Sequence, residues 1–167
     1  MNSNKASAPG VSELKVYGVL AKHGVRIPEK TSVDALVSRG YGRVENNIFT
    51  IAFYEALYLT DKKMLEVKNE NEKEVDFQDL LSLYERDNEN AWVNYLVYRD
   101  LRSRGYVVRE GFGGATDFRI YDRGAYGKDT ASYLILSVQE GKPVAVEDLS
   151  NALQQCQSQK KEKQRTN

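Results

Sequence analysis

Apolar residues along this 167-residue chain fall into two periodicities. The segment "LKVYGVL" at 14–20 alternates apolar and polar positions as a strand does, and "HGVRI" after it suits a hairpin partner. "TSVDALVSRGYG" predicts a short helix, with Thr31 or Ser32 as its cap and a glycine as its stop. "FTIAFYEALYL" places Phe53, Ala56 and Leu57 on one helical face, and "MLEVK" reads as an edge strand. "DFQDLLSLY" predicts a helix capped by Asp76, with Phe77, Leu80, Leu81 and Tyr84 spaced i, i+3, i+4 and i+7. The strongest helical pattern is "NENAWVNYLVYRDLRSRG": Asn88 or Asn90 caps it, Val93, Leu96, Val97 and Leu101 share a face, and Gly105 ends it.

Three strand-like runs follow, "YVVRE", "TDFRIY" and "SYLILSV", with the glycines of "GFGG" between the first two. "VEDLSNALQQCQSQKK" closes the pattern as a helix that begins amphipathic and ends in glutamine and lysine. A helix-rich first half and a strand-centred second half predict two small units meeting near residues 84–90. No internal repeat is present. The run "SYLILSV" is nearly continuous in apolar residues, so it is expected to be buried on both faces or paired with another chain.

Composition narrows the function classes. Hydrophobic residues make up 41% and charged residues 29%, a globular mixture. Basic and acidic residues balance at 24 each, which argues against coating nucleic acid through bulk charge. The lone cysteine, Cys156, cannot form an internal disulfide, and no zinc-type cluster is present. Residues 1–11 read as a frayed leader without an apolar core, and no apolar run is long enough to span a bilayer. A cytoplasmic protein with no membrane partner is the expectation. Charge is nevertheless uneven. Nine acids lie between Glu66 and Glu89, the pattern of a solvated face, and six arginines (Arg99, Arg102, Arg104, Arg109, Arg119 and Arg123) lie between Tyr98 and Arg123. The planar guanidinium fork suits phosphate.

The stretch "DFRIYDRGAYGKDTASYLILSV" combines a tyrosine, arginines, glycines and a lysine between two strands. Together with "YLVYRDLRSRGYVV" before it, and with "YGRVENNIFTIAFYEALYL" and "LEVKNENEKEVDFQDL" upstream, it resembles the archaeal tRNA-splicing (tRNA-intron) endonucleases from about Gly40 to Leu149. The resemblance implies an α/β (α+β) fold: a small mixed N-terminal domain over 12–86 and a C-terminal α/β domain with a central mixed sheet over 87–167. It implies removal of introns from precursor tRNA at bulge-helix-bulge motifs. In that reaction the ribose 2′-OH attacks the neighbouring phosphate, leaving 2′,3′-cyclic phosphate and 5′-OH ends, with no metal and no cofactor. A tyrosine acts as general base, a histidine as general acid, and a lysine stabilises the transition state.

Carried over residue by residue, the tyrosine falls on Tyr121 and the lysine on Lys161, with Lys160 beside it. The histidine position, three residues before Tyr133, holds Thr130, and an aliphatic hydroxyl cannot exchange protons near neutral pH as imidazole does. The sole histidine, His23, lies in the N-terminal segment and reads as a turn or surface residue. Seven residues before Lys161, the family's base-clamping arginine is replaced by Gln154. Arg102, Arg104, Arg119, Arg123 and Lys128 are the candidate RNA-binding residues. The family continues past the final helix into further strands and an acidic docking loop, and at Asn167 this sequence stops, so those strands are either absent or cut away.

The expectation is a structural, non-catalytic subunit that binds precursor tRNA and joins a catalytic homologue, as an α2β2 heterotetramer. Three other readings stay open. Tyr121, Lys128 and Lys161 could serve an active nuclease with a modified site. Asp117, Glu140 and Lys142 mimic the pattern of a Mg²⁺-dependent nuclease, although "QEGKP" reads as a turn. The arginines could instead serve a stand-alone RNA-binding protein.

Overall fold

The computed structural model describes residues 14–111, 116–128 and 131–165. The described chain is a mixed α+β structure. A six-stranded sheet is built from β1 (Val16–Ala21), β2 (Gly24–Arg26), β3 (Arg43–Glu45), β4 (Ile48–Ile51), β5 (Leu65–Lys68) and β6 (Glu74–Val75), in the order β3-β4-β2-β1-β5-β6. The pairings are antiparallel except β1 with β5, which run parallel with Val16 opposite Leu65. Parallel neighbours need a crossover, and helices α1 (Lys30–Ser38) and α2 (Phe53–Asp61) lie between them in the chain. β5 is therefore an interior strand, and β6 forms the edge that the sequence pattern assigns to "MLEVK". Alternation within β5, with Leu65 and Val67 buried and Glu66 and Lys68 exposed, marks a one-sided sheet but does not distinguish edge from interior.

The β3–β4 hairpin is absent from the sequence reading. Its two-residue turn is Asn46-Asn47, both left-handed with φ 50° and 62°, as a right-twisted hairpin prefers. β3 is exposed throughout, so it carries no hydrophobic alternation to announce it. The helix caps also differ in part. Glu29 holds the N-cap position of α1 without a side-chain cap to the backbone, and Ser32 sits inside the first turn, donating from Oγ to Glu29 Oε2 at 2.5 Å. Asp76 caps α3 (Phe77–Asp87) as expected, accepting from the Asp79 N–H at 2.9 Å while Asp79 accepts from the Asp76 N–H. Asn90 precedes α4 (Ala91–Ser103) without a side-chain cap; Asn88 orders the connection by accepting from the Asn90 N–H.

The α4 stripe is rotated from the expected one. Ala91, Asn94, Tyr95 and Tyr98 are buried, whereas Val93, Leu96, Val97 and Leu101 are half-buried beside them. Aromatic area explains the choice: two tyrosines bury more surface than the aliphatics they displace. Gly105 ends the helix at φ 91°.

The second sheet is β7 (Val107–Glu110), β8 (Phe118–Tyr121) and β9 (Tyr133–Ile135), antiparallel throughout. The two sheets share one hydrophobic core, and α2 is its keystone. Tyr54 on α2 meets Tyr98 at 4.9 Å, Phe118 at 5.1 Å and Tyr84 at 6.3 Å between ring centroids. β9 is shorter than "SYLILSV". The Asp117 carboxylate accepts from the Ser137 N–H at 2.6 Å, which diverts the backbone from the ladder after Ile135. Tyr133 (60%), at the start of β9, and Val138 (52%), past its end, are exposed. The last helix, α5 (Val146–Arg165), carries an exposed apolar stripe of Val146, Leu149 and Leu153.

Candidate functional site

Strand alternation in the second sheet decides which side chains meet. Phe118 and Ile120 face the core, so Arg119 and Tyr121 point to the opposite face. There Arg109 stands opposite Arg119, and Val107 opposite Tyr121. Beyond Tyr121 the chain makes a glycine-rich loop. The Ala125 N–H donates to Asp122 O and the Lys128 N–H to Ala125 O, with Gly124 and Gly127 left-handed in open space. Ser132 anchors the return by donating from Oγ to Asp122 Oδ2 at 2.9 Å and from its N–H to Ile120 O. The loop folds Tyr126 edge-on against Tyr121, with centroids 5.2 Å apart, and the Arg109 guanidinium lies 5.7 Å from the Tyr126 ring. Half-buried Tyr121 therefore sits at the base of a loop that presents exposed Arg123 and Lys128. The Arg123 guanidinium lies over Gly105, close enough that a side chain there would touch it; a cation is favoured at that end of α4.

The other candidate cations are placed differently. Arg102 is half-buried and committed to the fold: it stacks on Tyr41 at 4.0 Å and donates to Tyr106 O and Arg39 O. Arg104 is exposed and paired with Asp100 one turn back, at 2.9 Å. Thr130 lies outside the described residues, as does the side chain of Lys161; the backbone of position 161 belongs to α5. Gln154 is exposed on the same helix.

A cavity of about 220 Å³ opens where the second sheet meets the first, lined by His23, Tyr54, Glu55, Arg109, Glu110 and Arg119 among others. It lies at the Glu110–Gly111 end of the β7–β8 pair, whereas Tyr121 lies opposite Val107 at the other end. His23, whose Nδ1 is 3.2 Å from Asp87 Oδ2, is thus not beside Tyr121. The wall of this cavity holds a latch that sequence reasoning misses. The buried Glu55 carboxylate accepts from the Gly42 N–H at 3.0 Å and the Ala52 N–H at 2.8 Å. Arg109 approaches it at 3.7 Å while donating to Gly40 O and Gly42 O. Burial raises the Glu55 carboxyl above the ordinary carboxylate range, although the two backbone N–H groups and Arg109 oppose the shift. The signal was a glutamate three residues into a helix, half of a capping box, disguised because the cap residue is alanine.

Among the described residues no group of three His, Cys, Asp or Glu side chains is disposed to hold a metal ion. The residues of the metal-nuclease pattern make separate contacts. The Asp117 carboxylate is taken by the Ser137 N–H, Glu140 sits exposed in a turn, and Lys142 reaches Glu89 at 3.8 Å.

Sequence comparison gives this arrangement its context. Residues 16–81 match the tRNA intron endonuclease N-terminal domain, and residues 91–163 match the tRNA intron endonuclease catalytic C-terminal domain. A tRNA-splicing endonuclease of Pyrococcus furiosus is 33% identical over 122 residues, 73% of this chain and 69% of that protein. The chain belongs to the tRNA-splicing endonuclease family. Other relatives of that name include those of Methanothermobacter thermautotrophicus, 31% identical over 140 residues (83% of this chain, 81% of that protein), and of Methanococcus maripaludis, 29% identical over 143 residues (86% and 81%). The matched C-terminal domain contains the three-stranded sheet, the Tyr121 loop and most of α5. No helix among the described residues is long and apolar enough to cross a membrane.

Proposed function

We propose that this chain is the structural, non-catalytic subunit of a heteromeric tRNA-splicing endonuclease, positioning precursor tRNA while a homologous partner cuts. The observation that carries the reading is Thr130 at the position where the family resemblance calls for a histidine. Cleavage requires a proton donor for the departing 5′-oxygen, and removing positioned acid–base help costs about 10²–10⁴-fold in rate. The placement of His23 supports the same reading, since the chain's sole imidazole lies at the far end of the sheet from Tyr121. Arg119, Arg123 and Lys128 then hold the RNA backbone around a Tyr121 that has no acid–base partner, and Lys161 adds charge from α5.

The subunit proposed here occupies residues 12–86 and 87–167 as two units, and its partner surface comprises β9 and the Val146, Leu149 and Leu153 stripe of α5. Apolar groups exposed in this way favour association, and an unpaired strand edge favours pairing with another chain. The test is gel analysis of a bulge-helix-bulge RNA incubated with the purified chain in metal-free buffer. The expected result is no multiple-turnover cleavage and no 2′,3′-cyclic phosphate product. Robust turnover by the chain alone would overturn the proposal.

A further inference from the structure

Cations and aromatic rings alternate along α2 and α4 in a part of the molecule that the Tyr121 loop does not use. Lys62 lies 5.8 Å from the Tyr58 ring, Tyr58 meets Tyr98 edge-on at 5.8 Å, Arg99 lies 5.8 Å from the Tyr95 ring, and Trp92 packs on Tyr95 at 5.6 Å. Arg102, stacked on Tyr41, braces the ridge from within. Because Tyr98 packs against Phe118, α4 covers the face of the second sheet opposite to Arg119 and Tyr121.

Two features of the ridge point to a ligand. Lys62, Lys63 and Arg99 are exposed and, among the described residues, none of them forms an ion pair with an acid. Acids are interspersed with these cations: Asp61 adjoins the lysines, Glu89 precedes α4, α3 with Asp76 and Asp79 packs on Tyr95 through Phe77, and Asp100 is taken by Arg104. Trp92 is 46% exposed although it rests on a rigid aromatic base. The C-terminal end of α2 accounts for lysines at 62 and 63, but it does not account for an open indole that shares the Tyr95 ring with Arg99.

We propose that this α2–α4 ridge docks structured RNA, holding phosphates with Lys62, Lys63 and Arg99 and stacking an unpaired base on Trp92. Cationic side chains supply backbone contacts, and an aromatic platform takes any base by its face. The inference does not depend on whether this chain cuts. It adds a second contact surface, so that one RNA can be held away from the Tyr121 loop.

Trp92 is the only tryptophan in the chain, so its fluorescence reports on this surface alone. The experiment titrates the full chain with labelled bulge-helix-bulge RNA, with the fully paired duplex, and with poly-glutamate, reading RNA anisotropy and Trp92 emission together. Bulged RNA is expected to quench Trp92 with the same midpoint as the anisotropy. Three neutralised phosphates give a log–log salt slope of about 2–3. The double variant Lys62→Glu, Arg99→Glu is expected to weaken binding about tenfold or more. Trp92→Ala should weaken bulged RNA about fivefold or more while leaving the paired duplex within about twofold, with an unchanged thermal melt. RNA binding that leaves Trp92 emission and the double variant's affinity unchanged would overturn the proposal. So would quenching by poly-glutamate equal to that by RNA, which would make the ridge a surface for acidic protein, and so would no binding of either RNA. The non-catalytic reading is judged separately, from cleavage, so the two can fail independently.

Discussion

Glu55 shows how one side chain ties the two sheets together. Its carboxylate serves two backbone N–H groups from different loops and faces Arg109 across the cavity. Glu55→Ala would leave those donors buried and unpaired, and it is expected to cost about 2–4 kcal/mol of stability in a denaturant melt. The raised folded-state pKa of Glu55 fixes a sign. Between its unfolded value and its folded value the native state binds the extra proton, so this group's contribution is fully present below the unfolded pKa. It is lost as pH rises through the folded pKa. Glu55→Gln, which cannot titrate, is expected to flatten the stability profile between the unfolded and the folded value. A profile identical to the parent's would show that the titrating group lies elsewhere.

At the scale of elements, α2 carries most of the architecture. Tyr54 touches aromatic rings from α3, α4 and β8, so Tyr54→Ala is expected to cost about 3–5 kcal/mol. It should lower one shared unfolding transition rather than split it in two, as differential scanning calorimetry would show. Elements with a buried face and a clear period were legible in the sequence: β1, α2, α3, β7 and β8 all stand where the pattern puts them. β3 was not legible because all of it is exposed, and β5 was misplaced because alternation does not encode neighbours. Of the candidate site, the Tyr121 loop was visible as a cluster of residue types. The Glu55–Arg109 latch and the inward commitment of Arg102 were not, since both depend on contacts more than 50 residues apart in sequence. Gly24 illustrates the same limit: at φ 149° a side chain there would strike Ile51 O at 2.2 Å, a constraint set by the β2–β4 approach.

For the whole molecule, the uneven finish of the surface distinguishes folding from assembly. Val146, Leu149 and Leu153 are exposed on α5, so Leu149→Asp with Leu153→Asp is expected to leave the chain's own melt within about 0.5 kcal/mol. The same variant should lose co-sedimentation with a histidine-bearing family member. Unchanged co-sedimentation would place the partner surface elsewhere. The central claim, that this chain positions RNA without catalysing its cleavage, is tested most directly in that mixed complex. The measurement is the single-turnover rate of bulge-helix-bulge cleavage with Tyr121→Phe in this chain, against the same complex with the partner's histidine replaced. The account predicts a rate within about twofold of the parent for Tyr121→Phe and a loss of about 10²–10⁴-fold for the partner's histidine. A loss of that size from Tyr121→Phe would contradict it and make this chain a catalytic subunit.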